Sequence, residues 1–204
     1  MKHVTLCIPC YGEWKADFCM DVIALFGEFP ETQANLIGIG IEYVRSSMLP
    51  QARQMLAQTA VLRESTHALF LDTDMRFPKD TILRLLKHDK DIVGANYTQR
   101  IQPHQPTACK GDKRLSSLGR SGLEEVDGLG FGVCMIKTEV LAKMELPLFM
   151  FGYRAKTNEF VGEDIWFFNR ARDKGFKVFV DHDLSQEVRH IGEVELDVDM
   201  SAIG

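Results

Sequence analysis

The sequence predicts a single α/β domain with a mainly parallel central sheet flanked by helices, spanning residues 1–204. Three observations predict it. Short apolar runs alternate with segments of helical periodicity, which is the rhythm of strand, helix and strand in a parallel sheet. The run Ala68–Leu71 is apolar at every position, as a strand covered on both faces must be. The length, 204 residues, suits one sizeable domain or two small ones.

Val4–Pro9 is a short, partly β-branched run closed by Pro9 and then Tyr11-Gly12, and it reads as a buried first strand that ends in a loop. Phe18, Val22, Leu25, Phe26 and Phe29 recur at helical spacing over Asp17–Phe29, with Pro30 as the stop. Ile37–Val44 reads as a second strand. From Pro50, the positions Ala52, Met55, Leu56, Ala60 and Val61 or Leu62 give a helix, with Ser46 and Ser47 upstream as caps. After the Ala68–Leu71 strand, a helix from Pro78 carries Ile82, Leu83, Leu85 and Leu86, and Asp91–Tyr97 follows as another strand.

Residues 98–122 are polar and basic, with Pro103, Pro106, Gly111, Gly119 and Gly122, and their lack of periodicity reads as a mobile functional loop. The sheet pattern resumes at Val133–Ile136. A helix covers Thr138–Met144, a stronger one covers Glu163–Lys174 and ends at Gly175, and Phe176–Val180 is the last expected strand. Within that stronger helix, Trp166, Phe167 and Phe168 read as core, Trp166 being the best placed for exposure. Residues 193–204 read as an acidic, solvated tail.

Composition narrows the function classes. Lys+Arg number 24 against Asp+Glu 29, a net charge of −5, while hydrophobic residues make up 45% and charged residues 26%. That balance excludes disorder as the main state and argues against a surface that binds nucleic acid or anionic membrane. An anionic ligand then needs a local device. No apolar run approaches the roughly 20 residues of a transmembrane helix, and the N-terminal residues lack a leader's apolar region, so a cytoplasmic protein is expected. The cysteines Cys7, Cys10, Cys19, Cys109 and Cys134 are scattered without a framework, which fits reduced thiols.

The strongest chemical signal is Phe70-Leu71-Asp72-Thr73-Asp74-Met75. In extended chain, residues two apart share a side, so Asp72 and Asp74 are expected to present their carboxylates together at the carboxyl end of a buried strand, where open α/β sheets bind ligands. Two such carboxylates repel unless a cation joins them, and hard oxygen donors suit Mg²⁺ or Mn²⁺.

The segment from Thr66 to Pro78, followed by a helix and Asp91-Ile92-Val93-Gly94-Ala95-Asn96-Tyr97, resembles the core of GT-A type glycosyltransferases related to family 2. Further matches come in order: Val4–Tyr11 is similar to the first strand and nucleotide loop, and Gln51-Ala52-Arg53-Gln54 to the element that starts the helix before the metal motif. Gly128-Leu129-Gly130-Phe131-Gly132 resembles the glycine-rich acceptor-side strand, Gly162-Glu163-Asp164 the Glu-Asp motif, and His190-Ile191-Gly192 the late metal-binding His. Two positions depart from the pattern: Gln54 stands where Asn is common, and no Asp ends the second strand, so that either Glu42 substitutes or the base is read otherwise.

The resemblance implies a metal-dependent transferase that moves a sugar from a UDP- or GDP-linked donor to a glycan, lipid-linked or protein acceptor. By the same resemblance, Asp72, Asp74 and His190 are metal ligands, with Mn²⁺ or Mg²⁺ as cofactor. Pro9, Tyr11, Glu13, Arg53 and the Asp72-Thr73-Asp74 motif frame the nucleotide. Gly130 and Glu163 belong to the acceptor side, and Asp164 is the base of an inverting enzyme or an acceptor contact of a retaining one. Two other readings use the same residues: a haloacid dehalogenase-like phosphatase with Asp72 as nucleophile and Asp74 as acid, and a nucleotide- or glycan-binding module without catalysis. Cys7-Ile8-Pro9-Cys10 has a redox form, but Cys7 lies inside the predicted strand rather than at a helix N-terminus.

Overall fold

The computed structural model describes residues 1–27, 37–100, 103–155 and 158–192. Phe29, Pro30, part of the 98–122 segment and the 193–204 tail lie outside them. The chain begins with β1 (Lys2–Cys10), α1 (Ala16–Gly27), β2 (Ile37–Arg45), α2 (Leu49–Leu62) and β3 (His67–Leu71). It continues through β4 (Met75–Arg76), α3 (Thr81–His88), β5 (Ile92–Gly94), the β6 (Cys109–Lys110) and β7 (Lys113–Arg114) hairpin, β8 (Leu123–Val126), β9 (Val133–Lys137) and α4 (Thr138–Lys143). Last come the β10 (Gly152–Arg154) and β11 (Glu159–Val161) hairpin, α5 (Glu163–Asp173), β12 (Val178–Asp181), α6 (His182–Ser185) and β13 (Arg189–His190).

Among the described residues the main sheet has seven strands in the order β2-β1-β3-β9-β5-β12-β8. β2, β1, β3, β5 and β12 run one way, while β9 and β8 run against them. The alternation of side chains divides the core in two. Val4, Leu6 and Ile8 of β1 with Leu69 and Leu71 of β3 face α1, α3 and α6, whereas Cys7, Ala68 and Phe70 face α2, α4 and α5. The second face is aromatic: Phe131 stacks on Phe168 and meets Phe70, Phe149 and Phe167 edge-on. Each such buried ring contributes about 1.5–3 kcal/mol.

Most expected elements are present with ends moved by up to three residues, and the differences have physical causes. α2 buries Arg53 and Ala57, while Met55 and Leu62, expected on its apolar face, are exposed. The buried face carries Ala52, Leu56 and Ala60 together with Arg53, whose charge is met there by Asp72 and Glu163. Ser46 and Ser47 do not cap α2: Met48 is the N-cap, and Ser46 Oγ instead accepts from Met48 N at 3.0 Å in a local turn. α5 stops as expected. Gly175, at φ 89°, closes a Schellman turn in which Phe176 N donates to Ala171 O and Gly175 N to Arg172 O. Several features lie outside the expectation: β4, the β6–β7 and β10–β11 hairpins, the edge strand β8, the short helix α6, and β13, which follows the expected last strand and pairs with β4.

His67, at the amino end of β3, is 5% exposed and lies near Lys2 and Lys137; burial and these charges lower its pKa to about 4 from 6.5. The unfolded chain binds a proton there that the native state refuses. Stability therefore falls as pH drops below 6.5, by about 2 kcal/mol at pH 5. His67→Gln is expected to lose less stability than wild type between pH 7.5 and 5 in urea unfolding; equal losses would refute the assignment.

Candidate active site

The order β2-β1-β3 places a topological switch at β1. The chain leaves β1 through α1 to β2 on one side, then crosses through α2 to β3 on the other, and these helices pack on opposite faces. Such a switch opens a crevice beyond the carboxyl ends of the strands. Here the crevice holds about 310 Å³ and is lined by Pro9, Cys10 and Tyr11 after β1, Ser46, Ser47 and Leu49 after β2, Asp72, Thr73 and Asp74 after β3, and Arg100 and His190.

Asp72 and Asp74 both line this crevice, as expected, but each meets different partners. β3 ends at Leu71, and Met75 N donates to Asp72 O at 3.1 Å, so the chain turns after the strand. Asp72 continues the direction of Ala68 and Phe70 towards α2 and α5, and both its carboxylate oxygens accept from Arg53 Nη2 at 3.0 Å. Asp74 meets a different pair of side chains. Its Oδ2 lies 3.4 Å from His190 Nε2 and 3.0 Å from Arg100 Nη2.

His190 is delivered by β13, whose antiparallel pairing with β4 lays His190 against Met75, and Ile191 N donates to Asp74 O at 2.8 Å. Its Nδ1 donates to the Thr98 carbonyl at 2.9 Å, so Nε2 is the nitrogen turned to Asp74. Burial opposes charge on both partners, yet their mutual attraction, aided at Asp74 by Arg100, outweighs it: the Asp74 carboxyl is held below its ordinary value and the His190 imidazole above.

Arg53 is 3% exposed and does not line the crevice. One arm of its guanidinium holds Asp72, the other holds Glu163 at the start of α5, and the plane lies over the Phe131 ring at 4.9 Å. Gln54, next to it, accepts from Leu148 N at 2.7 Å, and Glu42 is paired with Arg63 away from the crevice. Ser46 and Ser47 occupy the crevice wall that follows β2.

Glu163 and Asp164 line a second, larger cleft of about 630 Å³, walled by the β10–β11 hairpin and by Arg114, Asp127 and Arg172. Burial raises the Asp164 pKa against the Ile165 N–H and the charges of Arg53 and Arg114, and burial likewise raises that of Glu163. A partly buried carboxylate of raised pKa in a cleft is a better proton acceptor than a solvated one. The two clefts are joined through the Asp72–Arg53–Glu163 bridge.

Other expected site residues sit elsewhere. Glu13 is exposed outside the crevice. Gly130 is buried, and a Cβ there would meet the Tyr97 hydroxyl at 2.2 Å; Gly132 is tight in the same way and donates its N–H to that hydroxyl at 2.9 Å. The missing side chains admit Tyr97 rather than a ligand. Tyr97 in turn packs edge-on to His190 at 5.3 Å. Phe167 and Phe168 are core, and the Trp166 ring lies beneath Gly152 of the hairpin. Cys7 is fully buried in β1, where burial raises its pKa. Sequence reasoning missed Arg100, which lies in the aperiodic segment, and Ser46 and Ser47 as crevice residues.

No protein-family model matches this sequence, and neither does any curated protein. Solved structures do. A197 from STIV aligns over 97% of this chain and 98% of its own at 16% identity with a TM-score of 0.57. TarS 1–349 of S. aureus, crystallised in complex with UDP-GlcNAc, aligns over 96% of this chain at 15% identity and a TM-score of 0.57. A second TarS 1–349 structure aligns at 14% identity with a TM-score of 0.52, and this chain spans 60% of TarS 1–349 in either. The likeness is one of fold: an α/β chain of GT-A type with a central, mainly parallel sheet.

Proposed function

We propose that this protein is a GT-A glycosyltransferase that takes a sugar from a nucleotide-diphosphate donor bound in the β1–β3 crevice and passes it to an acceptor in the Asp164 cleft. The observation that carries the reading is the convergence of Asp74 Oδ2 and His190 Nε2 in that crevice, with His190 Nδ1 tied to the Thr98 carbonyl. A fixed imidazole whose free nitrogen faces a carboxylate is a pair built to share a cation. The fold shared with a protein crystallised with UDP-GlcNAc supports the same ligand class.

Asp74 and His190 fit a divalent cation of the Mn²⁺ or Mg²⁺ kind, oxygen with one imidazole. Among the described residues there is no group of three or more His, Cys, Asp or Glu side chains that could hold a metal. Two protein ligands nevertheless suit a cation that shares its remaining positions with substrate phosphates and water. Such a cation stabilises negative charge on a departing diphosphate as a Lewis acid. Asp72, fixed by Arg53, orients the donor's ribose edge, Pro9 and Tyr11 border the base, and Asp164 accepts the acceptor's hydroxyl proton. The phosphatase alternative needs Asp72 free as a nucleophile, whereas both its oxygens accept from a buried arginine.

The test is a thermal-shift titration with UDP and GDP, with Mn²⁺ or with chelator. Ligand at a hundredfold its Kd adds about 2.7 kcal/mol, a rise of about 5–10 °C for a chain of this size. The expected result is a rise that needs both nucleotide and Mn²⁺ and is lost in Asp74→Ala. No rise with either nucleotide, or the same rise with chelator, would overturn the proposal.

A further inference from the structure

The cation seat is already contested. Arg100 Nη2 lies 3.0 Å from Asp74 Oδ2, the same oxygen that faces His190 Nε2. Arg100 is placed there by the backbone around it: Gln99 N donates to Gln105 O at 2.9 Å, Thr107 N to Tyr97 O at 2.9 Å, and Thr98 bridges to Pro106. The Thr98 carbonyl is also the acceptor for His190 Nδ1, so one short stretch sets both the imidazole and the guanidinium on Asp74.

We infer that Arg100 is a resident counter-ion for Asp74, which a divalent cation displaces and which then pairs with the donor's diphosphate. This rests on the reading of the crevice as a nucleotide-diphosphate site. A divalent cation joining Asp74 Oδ2 to His190 Nε2 would share that oxygen with the Arg100 guanidinium, and at such range the two positive charges repel. The ion pair therefore weakens binding of the cation alone. Once released, the guanidinium remains in a crevice that the diphosphate enters, and its planar fork suits phosphate oxygens. Asp74, half-buried, keeps a positive partner throughout: Arg100 serves before loading and the cation after.

The consequence is a coupling of opposite signs. Removing Arg100 strengthens binding of the metal alone and weakens binding of nucleotide to the metal-loaded protein. A half-exposed ion pair limits the first effect to about three- to fivefold. Loss of a charge-assisted contact to phosphate sets the second at about tenfold or more.

The experiment is an EPR titration of the full chain with Mn²⁺ alone, followed by calorimetric titration of UDP and GDP at saturating Mn²⁺, for wild type, Arg100→Ala, Arg100→Lys and Asp74→Ala. The Arg100 side chain is half exposed, so its variants are expected to melt within about 1–2 °C of wild type. Expected are a Mn²⁺ Kd three- to fivefold lower and a nucleotide Kd at least tenfold higher in Arg100→Ala, with Arg100→Lys between it and wild type in both. Equal Mn²⁺ affinity in wild type and Arg100→Ala, including none in either, overturns the inference. If Asp74→Ala loses Mn²⁺ while Arg100→Ala matches wild type, only this inference fails. If no nucleotide binds metal-loaded wild type, the functional reading falls, and the Mn²⁺ titration still judges the competition at Asp74.

Discussion

Asp164→Asn is expected to lower nucleoside diphosphate release from the sugar donor by about 10²–10⁴-fold, the range a positioned general base contributes, while nucleotide affinity stays within about twofold of wild type. The split follows from the layout. Asp164 lines the cleft proposed for the acceptor, and Asp74 and His190 line the crevice proposed for the donor, with a buried arginine between them. Asparagine keeps the shape and the oxygen that accepts from Ile165 N at 2.7 Å but cannot take a proton.

The pH profile is the second readout. Asp164 must be ionised to act, and burial sets its pKa above the ordinary 3.8. The acidic limb of kcat/KM should therefore lie above the ordinary aspartate range, with rate rising as pH rises through it. In Asp164→Asn that limb should vanish from the residual rate. A variant that keeps both full rate and the limb would remove Asp164 from the chemistry and leave it as the first-turn acid of α5.

Local patterns exposed the fold well because each strand carries its own burial signature. Val4–Pro9 and Ala68–Leu71 read directly, and the order of strand, helix and strand around them led to the crevice at the switch of β1. Pairings between distant residues were not legible. The hairpin Gly152–Val161 has no strong alternation, and β13 is two residues long and exists because it pairs with β4. The same limit applies at the site. Asp72 and Asp74 are two apart in sequence and line one crevice, as the period of a strand predicts, but what each meets there comes from α2, α5, β13 and the 98–122 segment. Gly130 was visible as a glycine, but its cause, the hydroxyl of Tyr97, lies 33 residues away in sequence. Arg53 was visible as a helix arginine before the motif, and a solvent-facing reach to a phosphate was the natural expectation for it.

Arg53→Ala distinguishes that expectation from the structure. An arginine that reaches a ligand from the surface of α2 would, when truncated, lower nucleotide affinity and leave stability within about 0.5 kcal/mol. An arginine that is 3% exposed and holds Asp72 and Glu163 at once leaves two carboxylates facing an emptied space. Removing one partner of a buried ion pair costs about 3–5 kcal/mol. The lower end applies here, because the Asp72 side chain is 26% exposed and can recover water. A loss of about 3 kcal/mol corresponds to a melting temperature about 6–12 °C lower. Arg53→Lys should fall between, since a single ammonium cannot present two forked donors to carboxylates on different elements. If unpaired charge is the cause, Glu163→Gln in the Arg53→Ala background should restore part of the stability, a coupling a double-mutant cycle reads directly. Unchanged stability in Arg53→Ala, with nucleotide affinity alone reduced, would show that the guanidinium meets the donor and that its buried bridge to Glu163 contributes nothing to the fold.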